Sequence, residues 1–145
     1  MKIDYNKKNF TEEEKKILLK EAGILCSEYP DKIPILVQIA SKVIEIEKNK
    51  FLVSGDINVD YFFETLKKKI TGLNPADNLI ISVTKLSDEN GVKTLTPVGK
   101  QTKLLKHFYQ EQCDPETNML IFTITRQTTY KFIKGMAGYV YKNIF

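Results

Sequence analysis

The sequence predicts an α+β fold, a single sheet with helices packed over it. Three observations predict it. Four short runs carry strand-type residues, three segments between and before them carry apolar residues at helical spacing, and no internal repeat is present. A chain of 145 residues suits a single domain, and a 42% hydrophobic content with 8 Phe and 7 Tyr supplies its core.

The first helix is expected over residues 11–25. Thr11 with Glu14 three positions on makes a capping box, Glu12 stands four before Lys16, and Ile17, Leu18, Ala22 and Leu25 form the apolar side. Gly23 weakens the last turn by about 1 kcal/mol relative to Ala. Tyr29-Pro30-Asp31 breaks the helix, since proline pushes the preceding residue out of the α region. Ile33, Ile35, Val37 and Ile39 then alternate with Pro34, Leu36 and Gln38, which reads as a strand whose proline marks its beginning or a sheet edge. After a polar segment, Lys50 to Ser54 is a second strand, ended by a turn at Gly55-Asp56.

Asn58 caps the clearest helix, in which Val59, Phe62, Phe63, Leu66 and Ile70 share one face. Lys67, Lys68 and Lys69 complement the macrodipole in its last turn, and Gly72 stops it. Asn78 to Thr84 is a third strand, and Leu86 to Lys100 reads as a long solvated loop. Gln101 to Gln110 is a short helix with Leu104, Leu105 and Phe108 inward, and Met119 to Thr125 is the last strand. From Lys131 to Phe145 the tail is apolar and basic, with no acidic residue.

Twenty-two Lys and Arg face 18 Asp and Glu, for a net charge of +4 and a sequence pI near 8.9. Residues 1–30 are balanced, so the excess lies in the remainder. Arg126 is the one arginine, and no aromatic-basic RNA-binding string occurs, so nucleic acid is not an expected partner; acidic peptide or acidic lipid fits better. Cys26 and Cys113 stand far apart without a CxxC or Cys/His cluster, so no metal, no cofactor and no disulfide framework is indicated, and a reducing compartment is expected. His107, Cys113 and Asp114 crowd one helix end without a separately placed base, so no catalytic residue and no enzyme activity is expected. Absence of a secretory h-region or an apolar span points to a cytoplasmic protein.

Two strands, a long helix, a strand, a short helix and a last strand follow the ubiquitin-like β-grasp order, here with an N-terminal helical extension. Particular strings go further: Tyr29-Pro30-Asp31-Lys32-Ile33-Pro34-Ile35-Leu36-Val37, Lys50-Phe51-Leu52-Val53, Phe62 with Lys67-Lys68-Lys69-Ile70, and Tyr109-Gln110-Glu111. In this order and spacing they resemble the ubiquitin-like autophagy modifiers of the GABARAP and light-chain-three type, over about residues 1–130. The resemblance implies three parts: a helical extension over 1–28, a β-grasp domain over 29–131, and an apolar and basic tail over 132–145. It also implies receptor and cargo peptides as partners, taken up by strand addition through an aromatic-x-x-aliphatic motif. Further implied partners are a processing cysteine protease, activating and conjugating enzymes, and phosphatidylethanolamine on autophagosomal membranes.

By matched position, the aromatic pocket of such a peptide site is Glu21, Leu25, Pro34, Leu36, Lys50, Leu52 and Met119. The aliphatic pocket is Phe51, Val53, Ile57, Phe62, Leu66 and Lys69, and Lys48 and Lys50 would meet acidic residues flanking the peptide. The chain departs from the family pattern at four places. Met119 stands for Phe, Ser54 for Pro, Thr65 for an aliphatic residue, and Lys131, directly after Tyr130, for the conjugated glycine. Gly135 and Gly138 are the remaining candidates for conjugation. The alternative is an adaptor that is not lipidated and whose tail, through Tyr141 and Ile144, mediates self-association or autoinhibition.

Overall fold

In a computed structural model of the protein, residues 2–73, 78–86 and 93–127 are described. The chain runs α1 (Glu12–Glu28), β1 (Lys32–Ile39), β2 (Glu45–Ile46), β3 (Lys50–Ser54), α2 (Val59–Lys67), β4 (Ile70–Thr71), β5 (Asn78–Leu86), β6 (Lys93–Pro97), α3 (Leu105–Gln112) and β7 (Leu120–Gln127). Five strands form one sheet in the order β3-β1-β7-β5-β6, and β2 pairs with β4 in a separate ribbon. Strands β1 and β7 are parallel, and the other neighbours are antiparallel.

Helix α1 begins where Thr11 and Glu14 place it. The Thr11 hydroxyl accepts from the Glu14 amide at 3.1 Å, and the Glu14 carboxylate accepts from the Thr11 amide at 2.8 Å. Thr11→Ala is expected to lower stability by about 0.5–2 kcal/mol, read by denaturant unfolding, because one orphan amide loses its acceptor. The helix runs on to Glu28, and its buried apolar side is narrower than its sequence suggests. Leu18 and Ala22 are fully buried, whereas Ile17 is 38% exposed.

Glu14 also pairs with Lys7, and this ion pair together with the Thr11 hydrogen bonds outweighs burial and holds the carboxyl below its ordinary value of 4.5. A carboxylate favoured in the folded state contributes stability above pH 4.5, and that contribution is lost as pH falls through the lowered value. Glu14→Gln is therefore expected to lower stability at neutral pH and to flatten the acid limb of a stability-versus-pH curve. An acid limb identical to that of the parent chain refutes this.

Strand β1 is buried along all but its first residue, because both faces of the sheet are covered there. On one face Ile33, Ile35, Val37 and Ile39 join Leu120, Phe122 and Ile124 of β7 beneath α2 and α3. Phe122 is ringed by Phe62, Phe63 and Phe108, with centroids 6.0, 5.1 and 5.9 Å away. On the other face Leu36, Met119 and Ile121 meet Leu18 and Ala22 of α1, together with Ile3 and Phe10 of the segment before it. Pro34 marks the strand's beginning and not an edge. Pairing with β7 starts at Ile35, so its missing amide falls outside that ladder.

Four expectations are corrected. The loop expected from Leu86 to Lys100 contains β6, whose backbone pairs with β5 from Ser82↔Pro97 to Leu86↔Lys93. Its pattern hides it, since Thr94 to Pro97 are exposed and show no apolar face. The helix starting at Val59 ends at Lys67, and Ile70 belongs to β4 opposite Ile46. Gly72 follows β4 at φ +89, where a Cβ would stand 2.2 Å from the Val43 carbonyl oxygen, so only glycine fits. The last helix starts at Leu105 and not at Gln101, with Leu104 as its N-cap.

Candidate functional site

Strand β3 stands at the border of the five-stranded sheet, and no described strand pairs with its outer side. It lies antiparallel to β1 with Leu36↔Lys50, Ile35↔Phe51, Pro34↔Leu52 and Ile33↔Val53 opposite one another. Because side chains alternate along a strand, Lys50 and Leu52 face the α1 side of the sheet, and Phe51 and Val53 face the α2 side. An open edge with a different hollow on each face is the feature on which the site is built.

On the α1 side a cavity of about 200 Å³ is bordered by Glu21, Leu25, Pro34, Ile35, Lys50, Phe51, Leu52 and Met119. Six of the seven residues expected for the aromatic pocket are therefore brought together. The seventh, Leu36, is 0% exposed and lies in the α1-side core with Met119, beneath the hollow and not on its wall. Met119 is 1% exposed, so it offers little surface of its own. A volume this small suits one inserted side chain better than a drug-sized molecule, for which sites run to about 300–1,000 Å³.

The rim of this hollow is an ion pair. Lys50 Nζ lies 2.9 Å from one Glu21 carboxylate oxygen and 3.1 Å from the other, and 5.1 Å from the Tyr5 ring centre. Partial burial works against the ammonium charge, but the contacts with Glu21 and Tyr5 prevail and raise its pKa above 10.5. Lys50 is thus a fixed cation at the mouth of the hollow. Tyr5 escapes sequence reasoning because nothing local links it to a residue 45 positions away; a cation with an aromatic partner is a tertiary fact.

On the α2 side the expected aliphatic pocket divides. Phe62 and Leu66 are 3% and 1% exposed and belong to the core, and Val53 and Ile57 are partly buried against it. Phe51 meets Phe62 edge-on at 6.0 Å. Phe51 and Lys69 do border an open cavity of about 390 Å³, with Ile46, Glu47, Lys48 and Lys68 as its other walls. This hollow is more basic than the matched positions imply, since three lysines face one glutamate across it. Gly135, Gly138 and the Tyr141–Ile144 segment lie outside the described residues.

Asp114, next to Cys113 at the end of α3, has a structural part. Asp114 is buried, and its carboxylate accepts from the Thr117 hydroxyl at 2.9 Å within the turn that leads to β7. Among the described residues no group of three or more His, Cys, Asp or Glu gathers as a metal site, and no helix is long and apolar enough to cross a membrane.

A sheet with a central parallel pair, a helix packed across one face and an additional helix on the other is the fold of a ubiquitin-like protein with an N-terminal extension. The family model for the autophagy protein Atg8, ubiquitin-like, matches residues 18–131, and the chain belongs to that family. It is 31% identical over 117 residues to autophagy-related protein 8e of Arabidopsis thaliana, covering 76% of this chain and 81% of that protein. It is 36% identical over 67 residues to autophagy-related protein 8h of the same plant, 45% of this chain and 56% of that one. The crystal structure of Trypanosoma brucei ATG8 shares the fold at a TM-score of 0.57 and 21% identity, covering 89% of this chain and 99% of that one.

Proposed function

We propose that this Atg8-family chain binds receptor and cargo peptides of autophagy as an added strand along β3. The observation that carries the reading is the position of β3 at the sheet border with hollows on opposite faces. In an extended peptide, residues three apart point to opposite faces. An aromatic side chain entering the α1-side hollow therefore sends the aliphatic one, three positions on, toward Phe51 and Lys69 on the α2 side. Backbone hydrogen bonds to β3 set the register, and Lys48 and Lys50 favour acidic residues beside the motif.

Burying the two anchor side chains is worth roughly 1.5–3 kcal/mol each, and with edge pairing and charge contacts the total approaches the roughly 8 kcal/mol of a micromolar complex. Calorimetric titration with an acidic-flanked aromatic-x-x-aliphatic receptor peptide tests this. Micromolar binding that is lost when the aromatic residue becomes alanine is expected, and absence of heat with several such peptides refutes it.

The conjugation reading rests on family membership, and the adaptor reading on Lys131, the last residue matched by the family model, where the family pattern has glycine. A conjugated form uses Gly135 or Gly138 and joins an autophagosomal membrane through phosphatidylethanolamine. An adaptor stays in the cytoplasm with its tail intact. Mass spectrometry of the protein from its own cells separates them. A lipid-bearing chain ending at Gly135 or Gly138 establishes the first, and unprocessed tail peptides alone establish the second.

A further inference from the structure

The cation at the mouth of the α1-side hollow is held from two directions, and one of them is the segment before α1. Hydrogen bonds staple that segment to the sheet. Gln38, buried on β1, donates from its side-chain nitrogen to the carbonyls of Tyr5 at 2.8 Å and of Lys7 at 2.9 Å. The Asn6 side-chain oxygen accepts from the Ile39 amide at 2.9 Å and from the Asn49 side chain at 2.8 Å. Asn49 in turn donates from its side chain to the Val37 carbonyl at 2.7 Å, and its own carbonyl accepts from the Val37 amide at 2.7 Å. Asn49 stands directly before Lys50, so the start of β3 and Tyr5 are fixed to one another through the end of β1.

From this position Tyr5 reaches Lys50, whose Nζ lies over its ring, 5.1 Å from the centre. The ring's quadrupole attracts the ammonium. A lysine head on its flexible four-carbon stem loses much freedom when confined, and here that confinement precedes any ligand. Glu21 confines the head as well, but as an anion it competes for the same charge with any acid that approaches. An aromatic ring confines the ammonium without adding an opposing charge. Tyr5 does not border the hollow of about 200 Å³. It borders a wider neighbouring cavity of about 900 Å³, with Lys2, Ile3, Asp4, Asn6 and Asn49.

We propose that Tyr5 is a positioning residue that sets the selectivity of the site for an acidic peptide residue two places before the aromatic anchor. The inference rests on the strand-addition reading. Residues two apart in an extended strand share a face, so that residue lies on the α1 side with Lys50, outside the span between the two anchors. The cavity bordered by Tyr5 and Asn49 gives it room. A carboxylate there meets an ammonium already held in place, and less freedom is lost on binding.

The test is calorimetric titration of the full chain with two receptor peptides that differ only in aspartate or alanine two places before the aromatic residue. The parent is expected to bind the aspartate peptide about fivefold more tightly. In Tyr5→Leu, which keeps an apolar side chain against the α1-side core, that ratio is expected to fall below about twofold, with the alanine peptide bound as by the parent. Tyr5→Phe keeps the ring and is expected to hold the ratio within about twofold of the parent's. A Tyr5→Leu ratio equal to the parent's overturns the proposal, as does equal weakening of both peptides or a Tyr5→Phe ratio as low as that of Tyr5→Leu. In each of these outcomes the parent still binds both peptides, so the strand-addition reading stands. A parent chain that binds neither peptide overturns both.

Discussion

Leu52→Arg is expected to weaken receptor-peptide binding by about ten- to a hundredfold while leaving the fold intact. Leu52 lies on the outermost strand and borders the α1-side hollow, and it is only partly buried. A guanidinium there fills a space of about 200 Å³ and puts a second positive charge beside Lys50. The inserted aromatic side chain then loses its burial, roughly 1.5–3 kcal/mol, and each 1.4 kcal/mol is a factor of ten. Away from the core, the substitution changes stability by about 0.5 kcal/mol at most. Calorimetry with the same peptide measures the first effect and thermal unfolding the second. Unchanged affinity at unchanged stability places the peptide somewhere other than this edge.

Phe122→Ala is the substitution with the largest expected effect on the fold. Phe122 is 0% exposed and is enclosed by three aromatic rings from α2 and α3. Removing it leaves a cavity bordered by those three rings in the layer between the sheet and α2 and α3. The expected loss is about 3–5 kcal/mol, a large part of the roughly 5–15 kcal/mol that holds a domain of this kind together. The midpoint of thermal unfolding is expected to fall by about 10 °C. A fall of only a degree or two means that the aromatic layer is looser than its ring distances indicate.

The hollow on the α1 side also shows how a family pattern and a structure differ in what they resolve. Matched positions identify Leu36 and Met119 as belonging to the pocket; Met119 does border the hollow, whereas Leu36 is buried in the layer with it and lines no wall. Whether a residue at such a position is wall or foundation depends on how closely α1 sits on β1. That distance follows from Leu18, Ala22, Ile3 and Phe10 acting together, not from any one of them.

Local signals were legible. The capping box of Thr11 and Glu14, the alternation from Ile33 to Ile39 and the one-sided run of Val59, Phe62, Phe63 and Leu66 each act within one or two turns or a few strand residues, so reading the sequence suffices to find them. Family strings added the two sets of peptide-contacting candidates. Tertiary packing alone decided that β6 exists, since its backbone is paired by β5 without any apolar face of its own. It also decided that Gln38 is held between the carbonyls of Tyr5 and Lys7, and that Tyr5 lies under Lys50. The physical reason is the same in each case. Periodicity records which way a residue faces, whereas its partner is fixed only when separate elements bury their apolar sides against one another and bring distant polar groups within bonding distance.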